Sequence, residues 1–149
     1  MKMAIIYTSI TGNTEQLMHI IASFFKTNTQ LIDIYNVQDF PIQQLSTYDL
    51  VMVGTYSWGN GDLPKEMESL YEAFENQNVD HIVTGVFGTG DRFYPHFCGA
   101  VDEFRDMLYV HTNLAVTLKV ELMPQNSDSP RCENFYKLLM KRLEKAMVC

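Results

Sequence analysis

The chain has 149 residues, a formal net charge of −7, and 46% hydrophobic against 19% charged residues. That composition is globular rather than disordered, and the length suits one domain, residues 1–149, able to bury a core without disulfide or metal staples. The acidic balance argues against nucleic acid, whose phosphates would repel the chain, and suits encounter with a basic protein surface.

No stretch approaches the roughly 20 apolar residues of a membrane helix. Met1-Lys2-Met3-Ala4-Ile5-Ile6-Tyr7 carries a positive charge but has only a short apolar run and no small-residue cleavage site. It reads as a buried first strand rather than a signal peptide, so the expected location is cytoplasmic. Cys98, Cys132 and Cys149 are far apart and form no C-x-x-C, which leaves reduced thiols as the expectation. His19, His81, His96 and His111 show no metal-ligand spacing, and no bound metal is expected.

In chain order, Met3–Tyr7, Leu50–Gly54 and Ile82–Gly88 are short, unalternating apolar runs, the mark of strands covered on both faces of a parallel sheet. Thr29–Tyr35 and Asn113–Val120 read as further strands, the last nearer an edge. Between them, residues 13–25 place Leu17, Ile20, Ile21 and Phe24 at helical spacing. Residues 64–74 open on a proline and carry Met67, Leu70, Tyr71 and Phe74. Residues 97–110 carry Val101, Phe104 and Leu108. Ser129-Pro130 opens a last helix with Phe135, Leu138, Leu139, Leu143 and Met147 on one side. Residues 37–46 allow at most one helical turn. Strand and helix alternate five times, which predicts a doubly wound α/β sandwich with helices on both faces. Strand orders 2-1-3-4-5 and a Rossmann-like half both satisfy the pattern, and in both the ligand sits beyond the carboxyl ends of the strands.

Three segments follow those ends. Thr8-Ser9-Ile10-Thr11-Gly12-Asn13-Thr14 offers hydroxyls, an amide and a glycine before a helix, an anion site that needs no cationic side chain. Ordinary N-capping would need only one of those residues. No Gly-Lys-Ser/Thr follows, which excludes a nucleoside-triphosphate loop. The second segment, Thr55-Tyr56-Ser57-Trp58-Gly59-Asn60-Gly61-Asp62, holds the only tryptophan in a Gly/Asn turn, placed to stack on a flat ligand or merely to anchor its loop. The third, Gly88-Thr89-Gly90-Asp91-Arg92-Phe93-Tyr94 through Phe97-Cys98-Gly99, adds a second aromatic, Tyr94, at the same end. Its Gly-x-Gly lacks the third glycine and follows the wrong strand for a dinucleotide fingerprint.

Taken together, these three segments resemble the flavodoxin family. Ser9-Ile10-Thr11-Gly12-Asn13-Thr14 is similar to its phosphate loop, Thr55 to Asp62 to its tryptophan loop, and Gly88-x-Gly90-Asp91 with Tyr94 and Phe97-Cys98-Gly99 to its third loop. The resemblance runs over essentially the whole chain without the roughly 20-residue insertion of long-chain members. It implies a flavodoxin-like five-stranded parallel sheet of order 2-1-3-4-5 and one non-covalently bound FMN.

By the same resemblance, Ser9, Thr11, Asn13 and Thr14, with backbone N–H groups from Ile10 to Thr14 (Gly12 included), hold the phosphate. Thr55, Tyr56 and Ser57 lie along the second loop, with Thr55 and Ser57 near the ribityl chain. Trp58 and Tyr94 cover the two ring faces. Gly59 offers its carbonyl to flavin N5 once the peptide after it has flipped, which puts the glycine at positive φ. Asn60 stands where many members carry Asp. Asp91 lies beside the pyrimidine edge, and Gly88, Thr89, Gly90, Phe97 and Cys98 belong to the third FMN-binding loop and its helix.

The implied role is a low-potential one-electron carrier, not an enzyme. It would be a monomer meeting basic surfaces of a flavodoxin/ferredoxin reductase and of acceptor enzymes through Glu66, Glu68, Glu72, Glu75, Asp102, Glu103 and Asp106. Two other readings share the fold: a flavin-dependent quinone or NAD(P)H oxidoreductase, and a flavin-free phosphorylated regulator. The last lacks acidic residues after the first strand, where Thr8-Ser9 stand.

Overall fold

A computed structural model describes residues 1–148, and Cys149 lies outside the described residues. Five parallel strands form one sheet in the order β2-β1-β3-β4-β5. They are β1 (Met3–Tyr7), β2 (Asp33–Asn36), β3 (Leu50–Tyr56), β4 (Val83–Gly90) and β5 (Asn113–Glu121). That order selects between the two the sequence left open. Four helices connect the strands or close the fold: α1 (Asn13–Thr27), α2 (Glu68–Asn76), α3 (Gly99–His111) and α4 (Ser129–Met147).

Because successive strand residues face opposite ways, the unalternating runs feed two cores. Met3, Ile5, Leu50, Met52 and Phe87 face α1 and α4, meeting Leu17, Ile21, Phe25, Phe135 and Leu139. Ala4, Ile6, Val51, Val53 and Val86 face the other layer, meeting Leu70, Phe74, Phe104 and Leu108 from α2 and α3. Each fully buried Leu, Ile or Phe contributes about 1.5–3 kcal/mol, so both layers hold the sheet between them.

Several expected boundaries shift. β3 and β4 run two residues beyond their apolar stretches, because Thr55 pairs with Gly88 and Tyr56 with Thr89 in the ladder. β2 starts at Asp33 rather than Thr29. Thr29 sits at φ 55 and donates its N–H to the Lys26 carbonyl at 3.0 Å, so these residues close α1 instead. The buried stripe of α1 is Leu17, Met18, Ile21, Ala22 and Phe25, while Ile20 and Phe24 are half-buried. On α4 the expected Leu138 and Met147 are exposed, and Cys132 and Tyr136 are buried in their stead. Residues 65–67 form a 3-10 turn that precedes α2, and 37–39 and 42–47 form two more.

Candidate functional site

All five strands end at the same edge, and the three expected segments gather there. In the first, Thr8 is still tied to the sheet, its N–H donating to the Gly54 carbonyl at 3.0 Å. Gly12 caps α1 at φ 93, a left-handed conformation, although nothing lies within 4 Å of a Cβ placed on it. Glycine is therefore required for conformation, not for space. No cap side chain covers the helix start, and Ser9 Oγ accepts only the Glu15 N–H, at 3.3 Å. The free N–H groups and positive dipole end of a helix favour an anion in such a place. Ile10 and Thr11 are exposed, and Asn13 is half-buried beside them. Thr14 turns the other way: its buried hydroxyl shares a 2.7 Å hydrogen bond with Thr89 on β4. Its side chain ties the first turn of α1 to the sheet.

The tryptophan segment leaves β3 and folds on itself. Trp58 and Asp62 exchange backbone hydrogen bonds of 2.8 and 2.7 Å, closing a tight five-residue loop. Gly61 N–H also donates to the Trp58 carbonyl at 3.1 Å. Gly59 has φ 53 and Asn60 a negative φ, the sign pattern of a type II′ turn. The positive φ that the resemblance assigned to a flipped turn is thus present already. Trp58 is 61% exposed. The base of the loop is held from α3. Ser57 Oγ accepts the Ala100 N–H at 3.0 Å, which makes this side chain a cap for α3. A Cβ on Gly99 would lie 2.4 Å from the Gly61 carbonyl oxygen, so the two backbones touch glycine to glycine. Thr55 is fully buried, with its hydroxyl on the Tyr56 carbonyl.

In the third segment, Asp91 Oδ1 accepts the Phe93 N–H at 2.9 Å and orders the turn. Tyr94 is 49% exposed and meets Phe93 edge-on at 5.9 Å between ring centroids. The Arg92 guanidinium lies 4.6 Å over the Phe97 ring. Cys98 is buried at φ 53, and burial pushes its thiol up to about 12. Gly88 and Gly90 have no room for a side chain: Cβ atoms there would meet the Thr55 carbonyl oxygen at 2.4 Å and Cys98 at 3.0 Å.

Two adjoining clefts of about 200 and 220 Å3 share Ser57, Gly90 and Asp91. One is completed by Gly59, Gly61, Tyr94, His96 and Cys98, the other by Ile10, Thr11, Asn13, Tyr56, Thr89 and Leu122. The donor set suits a phosphate ester of a flat, largely apolar ring. An uncapped helix start flanked by hydroxyl and amide groups lies at one end and the exposed Tyr94 at the other, with no lysine or arginine lining either cleft; Trp58 lines neither, but a third cleft with Ile10 and Tyr56. The sequence reading missed Gly61, His96, Gly99 and Leu122. Only Gly61 carried a signal, as the second glycine of a Gly-Asn-Gly turn.

The acidic residues divide differently from the expectation. Glu68, Glu72 and Glu75 on α2 are exposed, but Glu66 is half-buried and turned inward. On α3, Asp102 is bound to Lys119 at 2.8 Å and to Arg105 at 2.9 Å, and Arg105 also holds Asp106 at 3.0 Å. Burial raises the Glu103 carboxyl, and the nearby Asp62 charge adds to it. The open negative field is therefore that of α2 with Asp62 and Glu103, not of two equal helices.

Among the described residues no helix is long and apolar enough to cross a membrane. The family model described as flavodoxin matches residues 5–131. A probable flavodoxin 1 of Bacillus subtilis is 39% identical over 138 residues, covering 90% of this chain and 87% of that protein. The crystal structure of oxidised flavodoxin 1 from Bacillus cereus superposes with a TM-score of 0.86 at 32% identity, over 95% of this chain and 98% of that one. A short-chain flavodoxin associated with a bacterial microcompartment shares the fold, with a TM-score of 0.90 at 24% identity and coverage of 96% and 99%. With the matching strand order and the donor chemistry of the two clefts, these likenesses make the chain a member of the flavodoxin family, short-chain type, whose proteins bind FMN and carry electrons instead of turning over a substrate.

Proposed function

We propose that this protein is a low-potential one-electron carrier that works as a monomer in the cytoplasm. It takes electrons from a flavodoxin/ferredoxin reductase and passes them to acceptor enzymes with basic docking surfaces. The observation that carries the reading is an uncapped helix start and the exposed Tyr94 on two adjoining clefts that share Ser57, Gly90 and Asp91, with the exposed Trp58 on a third cleft beside Ile10 and Tyr56. FMN, when bound, supplies a ring that accepts and releases electrons one at a time.

The residues divide the work. Ser9, Thr11 and Asn13, with N–H groups from Ile10 to Thr14, bind the phosphate through charge-assisted hydrogen bonds. Thr55, Tyr56 and Ser57 line the path toward the ring. Trp58 and Tyr94 exclude water from its faces. The Gly59 carbonyl would accept a hydrogen bond from a protonated N5, while Asn60, Gly88, Thr89, Gly90, Asp91, Phe97 and Cys98 would shape the remaining edge. The surrounding carboxylates disfavour further negative charge on the ring, which supports a low potential for the second electron.

Docking falls to the α2 face, where Glu68, Glu72 and Glu75 have no cation bound to them among the described residues. Reconstitution of the apoprotein tests the cofactor role. We expect uptake of one FMN per chain with strongly quenched fluorescence, and a protein that takes up none ends the reading. Reduction by a basic reductase should slow as salt rises past about 0.15 M, where the Debye length is about 8 Å. A rate indifferent to salt would remove the docking role.

A further inference from the structure

One acidic side chain in the site has no part in the roles above. Glu66, in the turn before α2, points away from solvent and into the junction of the first two loops. Its Oε2 accepts two hydrogen bonds, from Thr8 Oγ1 at 2.8 Å and from the Tyr56 hydroxyl at 2.6 Å. Thr8 is the first residue after β1 and opens the phosphate loop, whereas Tyr56 is the last of β3 and opens the tryptophan loop. One carboxylate oxygen thus joins the roots of both loops to the start of α2. Ile10 and Trp58, the exposed tips of the same two loops, line a cleft of about 270 Å3 together with Tyr56 and Glu66. Among the described residues no lysine, arginine or histidine nitrogen pairs with Glu66. Burial alone would raise its carboxyl, but the bonds from Tyr56, its own backbone and Thr8 outweigh that and hold it below the ordinary 4.5.

A half-buried carboxylate without a cation is costly unless its hydrogen bonds are well made. Placed beside an anion site it would also repel the phosphate. It therefore adds nothing to affinity as a charge, and its contribution is geometric. We propose that Glu66 is a positioning residue that fixes the spacing between the phosphate loop and the Trp58 loop, so that one ligand engages both at once. This rests on the assignment of phosphate and ring to those two loops. A ligand that bridges two sites gains from their being preset at the right separation, and a ligand that uses only one site does not. The loss of Glu66 should therefore fall on FMN and spare riboflavin, which has the ring but no phosphate.

The test measures dissociation constants of FMN and of riboflavin for the intact apoprotein by fluorescence quenching, with thermal unfolding of each apoprotein alongside. In Glu66→Ala, FMN should bind about tenfold more weakly, the equivalent of one charge-assisted hydrogen bond, while riboflavin changes by less than about twofold. Glu66→Gln keeps an oxygen that can accept both hydroxyls, so it should lie closer to the native protein than to Glu66→Ala. Tyr56→Phe removes one of the two donors and should fall between, which keeps the test open should Glu66→Ala fail to fold. Equal weakening of both ligands, no change in either, or a Glu66→Gln protein as impaired as Glu66→Ala would each overturn the proposal. Failure of the native protein to bind FMN at all would instead count against the cofactor reading itself.

Discussion

The two ends of the cleft are built on opposite plans. At the helix end, several polar side chains are spent inward: Thr8, Thr14 and Thr89 are buried and bonded to Glu66 or to each other, behind Thr11 and Asn13 on the cleft. At the ring end, Trp58, Phe93 and Tyr94 stand in solvent on short turns, held only at their roots. A phosphate is small, doubly charged and directional, so it rewards fixed donors. A flat ring is large and forgiving in its own plane, so stacking surfaces can sit on movable turns. Under the proposed function, the firmly bonded end meets the phosphate and the more exposed end meets the ring.

That contrast can be broken deliberately. The largest expected effect on the fold comes from Thr14→Val, which leaves the Thr89 hydroxyl buried without its partner. It should cost the apoprotein about 1–3 kcal/mol, seen as a melting temperature lower by several degrees. An unchanged melting curve would show that the helix end is not the anchored one. Gly99→Ala joins the two ends, because its Cβ would meet the Gly61 carbonyl oxygen at 2.4 Å and push the tryptophan loop off α3. Overpacking of this kind costs about 1–3 kcal/mol, and here both stability and FMN affinity should fall together.

Trp58→Ala should do the reverse of Thr14→Val. The side chain is 61% exposed, so melting of the apoprotein should hold while FMN affinity drops up to about tenfold, the worth of about 0.5–1.5 kcal/mol of stacking. Loss of stability without loss of affinity would make Trp58 a loop anchor. Smallest is the difference expected between two variants at Gly59. Its φ of 53 suits asparagine better than threonine, and a Cβ there has only Asp62 near it, at 3.7 Å. Because that conformation is already present in the fold, Gly59→Thr should cost the apoprotein about 1–2 kcal/mol of stability and Gly59→Asn clearly less, read from their melting curves. Equal losses in the two variants would show that space, not conformation, sets the requirement.

Much of this was legible in the amino-acid order. Unalternating apolar runs gave the two-faced sheet, and the hydroxyl-rich segment before residues 13–25 marked the helix end of the cleft. Two kinds of feature were hidden. Strand ends escape notice where pairing outlasts hydrophobicity: Thr55, Tyr56, Thr89 and Gly90 belong to the ladder through backbone bonds that carry no side-chain signature. Roles fixed by distant partners escape as well. Glu66 resembles its neighbours Glu68 and Glu72 in sequence, yet it faces Thr8, which lies 58 positions earlier. Ser57 reads as a ligand-facing hydroxyl, yet it caps a helix 43 residues further on. Asp102 reads as a docking charge, yet Lys119 and Arg105 hold it.

The parallel arrangement of the strands has a practical corollary. Every strand starts at the edge opposite the cleft, and Met1 and Val148 line one groove there with Met140 and Leu143. Anything attached at Met1, an affinity tag, a surface linker or a fused reductase, would hang from the far side of the molecule. Immobilised that way on an electrode or a bead, the protein would present the edge carrying Trp58 and Tyr94 outward, toward whatever diffuses up to meet it.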